Sequence, residues 1–248
     1  MASWFLLALL LWQGGTEKEA ADLHEKGLTL SEQGKAEEGI AALRESLAIH
    51  KRLGKAMEQA VNLRVLAFVH EGMGERQKAL GFYEQALGVL RGGQWKELEA
   101  RTLRDIGVLY YNLDENGKAF AYLERSLAMQ RGAAKPGVLA ATLFSMGELR
   151  RYLGEKAKAR ALFDEAVTLA REAGDRRTEA DARSSRAMLE AGGGLEELAA
   201  ALAIRVDTKD RRGEASTRAK LGVKLLGMGK EGEAREELRR SIGEATIL

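Results

Sequence analysis

The sequence contains no cysteine, and this absence excludes disulfides, thiol nucleophiles and cysteine-bound metals. Its three histidines, His24, His50 and His70, do not form the HExxH pattern of a zinc protease. The GxSxG pattern of a nucleophilic serine and the GxxxxGKS/T pattern of a phosphate-binding loop are also missing. We therefore expect a non-enzymatic protein with no catalytic residue, no metal and no cofactor, and we interpret each histidine as a packed or solvated side chain.

The sequence also has very little proline and a small net charge. One proline occurs in 248 residues, so helix breakers are rare, whereas the strong helix formers Ala, Leu, Glu, Lys and Arg are abundant. The 39 basic and 37 acidic residues give a net charge of +2, which lacks the positive excess of a nucleic-acid-binding protein. Hydrophobic residues make up 45% of the chain, enough for a folded core. The composition predicts an all-α protein without a nucleic-acid partner.

What the sequence does contain is a long repeat. A small residue recurs at steps of 40 residues, with a final step of 35: Gly27, Ala67, Gly107, Gly147, Ala187 and Gly222. Seven positions after each of these comes a turn column: Gly34, Gly74, Asp114, Gly154, Gly194 and Gly229. Apolar residues return every three or four positions on both sides of each turn, as in two amphipathic helices. We predict about six helix–turn–helix repeats that form a single domain over residues 16–248.

Two local features support this frame. Pro136, the only proline, precedes the first helix of repeat four, where its missing N–H costs nothing. The shorter final step places a five-residue deletion around residues 191–198, where the run Gly192, Gly193 and Gly194 predicts a non-helical segment. We therefore expect a short second helix in repeat five, with either a tolerated deletion or a hinge at the glycines.

The columns resemble the tetratricopeptide repeat, a helix–turn–helix unit with the pattern W-L-G-Y…A-F-A. Repeat three matches this pattern at Leu103, Ile106, Gly107, Tyr110, Ala119, Leu123 and Ser126. The 40-residue spacing is similar to the long-helix variety of the family, found in kinesin light chains and bacterial regulators. The resemblance implies an α-solenoid, a right-handed superhelix whose concave face is lined by the first helix of each repeat. It also implies a scaffold or adaptor that binds a protein or peptide segment in its groove.

The helical register places arginine and aromatic side chains on the expected concave side of repeats two to four. The predicted groove residues are Arg64, Phe68, Arg101, Arg104, Asp105, Tyr111, Asn112, Phe144, Glu148, Arg151 and Tyr152. Arginine and aromatic residues are frequent anchors of recognition surfaces. Because the four arginines outnumber the two acids in this set, we expect a partner with acidic side chains or a free carboxylate. An ordinary solvated helix face is the alternative interpretation of the same residues.

The apolar run WFLLALLLW at residues 4–12 stands apart from the repeats. It is too short to cross a bilayer, which needs roughly 20 apolar residues. Its length suits a secretory signal, but no Lys or Arg precedes it and Gln13 is a poor cleavage context. Residues 1–15 are therefore either a signal-like segment or a packed helix. The first interpretation predicts an exported or membrane-proximal protein, with membrane contact only through residues 4–12 if they are retained, and the second a cytoplasmic one.

Two other functions stay open. Repeat six ends at residues 241–248 without a polar capping helix, which solenoids normally need. One alternative is therefore a structural subunit that self-associates, or packs in a larger complex, through uncapped ends and the apolar N-terminus. The other is the regulatory arm of a larger enzyme or transcription factor.

Overall fold

A computed structural model describes residues 15–131 and 136–245. Within these ranges the protein is built from twelve α-helices without any β-strand. The helices are α1 (Glu17–Glu32), α2 (Ala36–Arg52), α3 (Ala56–Gly72), α4 (Arg76–Leu90), α5 (Lys96–Asn112), α6 (Asn116–Gln130), α7 (Pro136–Tyr152), α8 (Lys156–Glu172), α9 (Arg176–Met188), α10 (Leu195–Asp207), α11 (Arg211–Gly227) and α12 (Glu231–Ala245). The all-α prediction is confirmed, and α7 begins at Pro136 as expected.

The helices pack in consecutive pairs. Within the repeats, α1 packs on α2, α3 on α4, α7 on α8 and α11 on α12. First helices of neighbouring repeats also touch, namely α1 with α3, α7 with α9, and α9 with α11. This is the consecutive helix-pair packing of an α-solenoid. The contacts group into two compact units: unit 1 ends at Leu109 and unit 2 begins at Tyr110, within α5. A single domain over residues 16–248 stays a prediction.

The turn column predicted from the sequence is confirmed. All six of its residues adopt positive φ angles, from 59° at Asp114 to 86° at Gly194. Glycine enters this left-handed region without steric cost, whereas Asp114 has a Cβ and does not. The carboxylate of Asp114 accepts a hydrogen bond from Tyr152 Oη at 3.0 Å, which ties the turn to the end of α7.

The small-residue column is explained by close packing between the two helices of a pair. A Cβ atom added to Gly147 would lie 2.5 Å from Cε1 of Phe163, a fully buried side chain of α8. The same close approach joins Gly27 to Leu43 and Gly222 to Leu238. These three glycines of first helices therefore make room for a large residue on the second helix.

Both helices of repeat five are short. Its second helix, α10, has 13 residues, which confirms the predicted short helix. Its first helix, α9, is equally short and ends at Met188, which the sequence did not indicate. Gly194 sits against α9, because an added Cβ would lie 2.7 Å from the carbonyl oxygen of Ala187. The chain therefore turns early, and residues 192–194 lie outside both helices as predicted.

The apolar run at residues 4–12 lies outside the described residues, so the interpretations of that segment stay predictions. In the ranges that the structure describes, no helix combines the length and apolar character needed to span a bilayer.

Candidate functional site

Unit 1 brings together five of the predicted groove residues. Arg64 and Phe68 project from α3, whereas Arg101, Arg104 and Asp105 project from α5. Phe68 is 66% exposed, so the hydrophobic core does not use it. The half-buried carboxylate of Asp105 lies between two arginines, 2.5 Å from Arg64 Nη2 and 2.8 Å from Arg104 Nη2. The first helices of repeats two and three thus share one charged surface.

The groove arginines of this surface form ion pairs with two carboxylates of the same helix or a neighbouring one. Asp105 pairs with both Arg64 and Arg104, while Arg101 pairs with Glu97 at 2.9 Å, so three guanidinium groups face two carboxylates. Nε of Arg64 is buried without a hydrogen-bond partner in the described part of the chain. The excess is smaller than the sequence suggested, because the sequence-based set did not include Glu97.

A shallow cavity of about 440 Å³ opens beside these charges. Its lining residues come from α3 and from the start of α5: Met57, Val61, Arg64, Trp95, Glu97, Leu98 and Arg101. Trp95 also packs against the hydrophobic core of unit 1. The cavity itself was not predicted, because its apolar walls lie on two helices about 40 residues apart.

Unit 2 contains the remaining predicted residues, and its aromatic side chains contact one another. Tyr111 and Tyr152 meet edge to face with 5.5 Å between ring centroids. Burial raises the pKa of the Tyr111 hydroxyl, and the hydrogen bond to Asp114 raises that of Tyr152. Phe144 is half-buried and leans on Phe163, with 6.0 Å between centroids, so it serves the core as well as the surface.

Arg151 and Glu148 form an ion pair on α7 at 2.8 Å. The hydrogen bond from Arg151 to Glu148 raises the pKa of the guanidinium, which is therefore permanently charged. Asn112 is exposed at the end of α5. Every predicted groove residue is at least partly exposed, but each of the four arginines already has an acidic neighbour.

Sequence reasoning left one cation, Lys220 on α11, out of the predicted groove. It is half-buried and forms no hydrogen bond or ion pair with any residue that the structure describes. Burial lowers the pKa of its ammonium group, while Glu148 on α7 and Asp181 on α9 act in the opposite direction. Those two carboxylates are paired with Arg151 and Arg205, respectively. The column two residues before each small residue could have indicated this site, because only Lys220 is a cation there.

Metal-binding geometry is absent from residues 15–131 and 136–245, where no group of three or more His, Asp or Glu side chains converges.

Comparisons with known proteins agree with this architecture. A family model described as Tetratricopeptide repeat matches residues 18–92 and 98–172, more than half of the chain. No curated protein matches the sequence significantly. Three similar solved structures show the same fold at low sequence identity.

The apo form of RapI has a TM-score of 0.76 and 16% identity, covering 94% of this chain and 85% of its own. Aspartyl phosphate phosphatase F from Bacillus subtilis has a TM-score of 0.76 and 12% identity, covering 93% of this chain and 61% of its own. The Rap conjugation gene regulator of the plasmid pLS20, in complex with the Phr* peptide, has a TM-score of 0.75 and 14% identity, covering 94% and 64%. This chain spans less than two thirds of the last two proteins.

Proposed function

The chain belongs to the tetratricopeptide repeat family, and from this premise we propose that it is a non-enzymatic scaffold or adaptor that binds a protein or peptide segment. Each unit has its own proposed binding surface on its first helices, which are α3 and α5 in unit 1 and α7, α9 and α11 in unit 2. The observation that carries this proposal is the surface of unit 1, where Arg64 and Arg101 line a largely apolar cavity and the exposed ring of Phe68 lies on the same helix as Arg64.

The partner in this proposal carries carboxylates. Arg64 and Arg104 both bind Asp105 and lie on the same surface of unit 1 as Arg101, so a carboxylate of the partner would find guanidinium groups to pair with there. In unit 2 the ammonium group of Lys220 has no partner within the described residues and is half-buried, so a bound carboxylate would offset its desolvation. A peptide is the favoured class, because the plasmid pLS20 regulator with the same fold was solved with a peptide.

A structural role in a larger assembly is the second candidate, and one residue favours it. Ile242 on α12 is 68% exposed, whereas the residues in the same column of earlier repeats, such as Leu47, Leu87 and Val167, are buried. In those repeats a neighbouring helix covers the column, so α12 presents a comparable apolar position that a further helix or another chain can cover. Sedimentation velocity at rising concentration separates the two candidates, because a constant monomer mass contradicts self-association. A regulatory arm of a larger protein stays a third alternative.

The proposal is tested with a phage library of random linear peptides panned on the immobilised protein. Enriched peptides are then titrated against wild type, against the groove variant Arg101→Glu plus Arg104→Glu, and against a control variant. The control, Arg44→Glu plus Lys51→Glu, makes the same charge change on exposed positions of α2. Circular dichroism first verifies that all three proteins are equally helical.

We expect the enriched peptides to be rich in Asp and Glu and to bind the groove variant at least about tenfold more weakly, a difference of about 1.4 kcal/mol. The control variant should bind like wild type. Equal affinity for all three proteins would place the binding surface away from α5 and contradict the groove assignment.

A further inference from the structure

Two of the three histidines meet in a buried polar cluster where α1, α2 and α3 pack together in unit 1. The cluster consists of His24, Ser46, His50 and Asn62. Asn62 is fully buried and His50 is only 5% exposed, so water has little access to their polar atoms, whereas His24 is half-buried. Buried polar groups of this kind depend entirely on one another for hydrogen bonds.

The hydrogen-bond directions follow from counting hydrogens. Ser46 has one hydroxyl hydrogen, which it donates to the carbonyl oxygen of Ala20 at 2.6 Å. Ser46 can therefore only accept from Asn62, so the amide nitrogen of Asn62 faces it at 3.0 Å. The same nitrogen lies 2.8 Å from Nδ1 of His50. The amide oxygen of Asn62 then accepts from Nδ1 of His24, at 2.5 Å.

These hydrogen bonds determine whether Nδ1 carries a hydrogen, and the answer differs between His50 and His24. Nδ1 of His50 must be free of hydrogen, because it accepts from the Asn62 amide, so His50 is neutral. Nδ1 of His24 carries a hydrogen in its bond to Asn62, and a charged imidazole can still donate it. Only His50 therefore loses its bond when it takes up a proton.

We propose that this cluster is a proton-sensitive joint that holds α1 and α2 against α3 at neutral pH and releases them when His50 is protonated. A proton on Nδ1 of His50 points directly at the N–H of Asn62, so two donors confront each other in a buried site. The charged ring has no carboxylate within hydrogen-bond reach in the part of the chain that the structure describes. Opening the joint lets water solvate the imidazolium.

The charged groups around His50 do not cancel the lowering of its pKa by burial. Burial lowers the pKa of His50 below its ordinary value of 6.5, and His24 of α1 and Lys55 of the α2–α3 turn act in the same direction. Glu58 of α3 and Glu17 of α1 raise the pKa, but Glu17 is paired with Lys55 at 2.9 Å. Because the folded pKa is the lower one, the stability that neutral His50 contributes is present above pH 6.5 and is lost as pH falls through the folded pKa.

Other repeats supply versions of the same joint that cannot titrate. Between repeats three and four, Gln130 takes the position of His50, Ser126 that of Ser46 and Thr142 that of Asn62. There Gln130 Nε2 donates hydrogen bonds to Ser126 at 2.8 Å and to Thr142 at 2.9 Å. Between repeats two and three the corresponding residues are Ala86, Leu90 and Thr102. Both natural sets pack buried at their own joints.

These sets define two matched variants. His50→Gln plus Asn62→Thr reproduces the polar set of repeats three and four, and Ser46→Ala plus His50→Leu plus Asn62→Thr reproduces the set of repeats two and three. Both variants retain His24 and remove the titratable ring of His50, and because both also replace Asn62, they test the His50–Asn62 pair as a unit. The test is hydrogen–deuterium exchange of wild type and both variants at about pH 7.5 and about pH 5.5, on either side of the ordinary histidine pKa.

After correction for the chemical pH dependence of exchange, we expect the opening of α1 and α2 in wild type to increase at the lower pH. The increase should be up to roughly tenfold for each unit by which the folded and unfolded pKa values differ. Both variants should show no such increase, and the joint of α6 and α7 in the same molecules serves as an internal control. Equal acid-induced opening in wild type and variants, or none in wild type, would overturn the proposal.

The polar variant keeps the test decisive if the apolar one fails to fold. NMR of imidazole-labelled protein gives an independent reading, because His50 should be unprotonated at Nδ1 near neutral pH and should titrate below 6.5. A His50 resonance that titrates at or above 6.5 would also contradict the proposal.

Discussion

Glycine at position 147 lets α7 approach α8 so closely that the ring of Phe163 packs against its backbone. Gly117, in α6, is also helical but has no atom within 4 Å of an added Cβ. The two glycines therefore occupy opposite packing environments within unit 2. Gly147 leaves the space that the buried ring of Phe163 occupies, whereas no side chain uses the space beside Gly117.

We predict opposite signs for alanine at these two positions. Gly147→Ala should lower the free energy of unfolding by about 1–3 kcal/mol, because Phe163 must leave its rotamer or the helices must separate. Gly117→Ala, the matched control, should raise it by up to about 1 kcal/mol through better helix propensity. Urea denaturation followed by circular dichroism measures both, and a neutral Gly147→Ala would contradict the packing argument.

The sequence predicts these contacts well where backbone geometry restricts the residue type. Close approach requires a small side chain and a left-handed turn favours glycine, so both columns are visible at a 40-residue spacing. The His50–Asn62–His24 cluster was not predicted, because its bonds join residues 12 and 38 positions apart and its chemistry differs between repeats. The sequence predicted a packed or solvated side chain for each histidine, but the bonds of His24 and His50 to Asn62 form only when the three helices are docked.

At the scale of helices, the passage from α10 to α11 depends on Asp210. Its carboxylate accepts the backbone N–H of Gly213 at 2.9 Å and so caps α11. It also pairs with Arg205, a buried guanidinium that binds Asp181 on α9 as well. The side chain of Asp210 thus caps the N-terminus of α11 and ties repeat five to repeat six.

We predict that Asp210→Ala lowers the stability of unit 2 by about 1–2 kcal/mol through loss of the cap. Asp210→Asn should retain the cap and lose only the charge. Burial opposes ionisation of Asp210, yet the Gly213 N–H and Arg205 hold its pKa below the ordinary 3.8. The stability it contributes is therefore present above that value and lost as pH falls, so wild type should lose more stability in acid than Asp210→Asn.

Denaturant midpoints at neutral and acidic pH measure this difference. If both proteins respond identically to acid, the carboxylate of Asp210 has no shifted pKa in the folded state.

The sequence anticipated helix order, turns and the short α10, because periodicity and glycine spacing report on local structure. It did not anticipate that α9 stops at Met188, which depends on the tertiary contact of Gly194 with Ala187. For the groove, the helical register indicated side chains that are at least partly exposed, but ion pairing depends on which helices face each other. Glu97 and Lys220 therefore entered the description only with the structure.

Across the whole sequence, some features recur every 80 residues, which is the length of two repeats. Each segment that matches the family model covers two repeats, and the segments begin 80 residues apart. Polar joints follow the same spacing, since Ser46 and His50 correspond to Ser126 and Gln130, whereas Ala86 and Leu90 lie between them. Solenoid stability is approximately a sum over repeats and their nearest neighbours, so such joints act locally.

We therefore predict that a severe core substitution destabilises its surroundings selectively. Phe163→Ala should cost about 3–5 kcal/mol and accelerate amide exchange in α7 to α10. Exchange in α1 to α3 should change far less, and Leu43→Ala in α2 provides the reciprocal variant. Uniform acceleration across the chain in both variants would show one cooperative unit instead of locally coupled repeats.

The position of Trp95 gives the protein a built-in optical reporter. It lines the cavity beside α3, and the only other tryptophans of the chain are Trp4 and Trp12. Replacing those two with phenylalanine would leave one indole, whose emission depends on the polarity of its surroundings. A segment that enters the cavity would displace water from this ring and shift its emission to shorter wavelength. Occupancy of the unit 1 surface could then be followed in real time without attaching a dye.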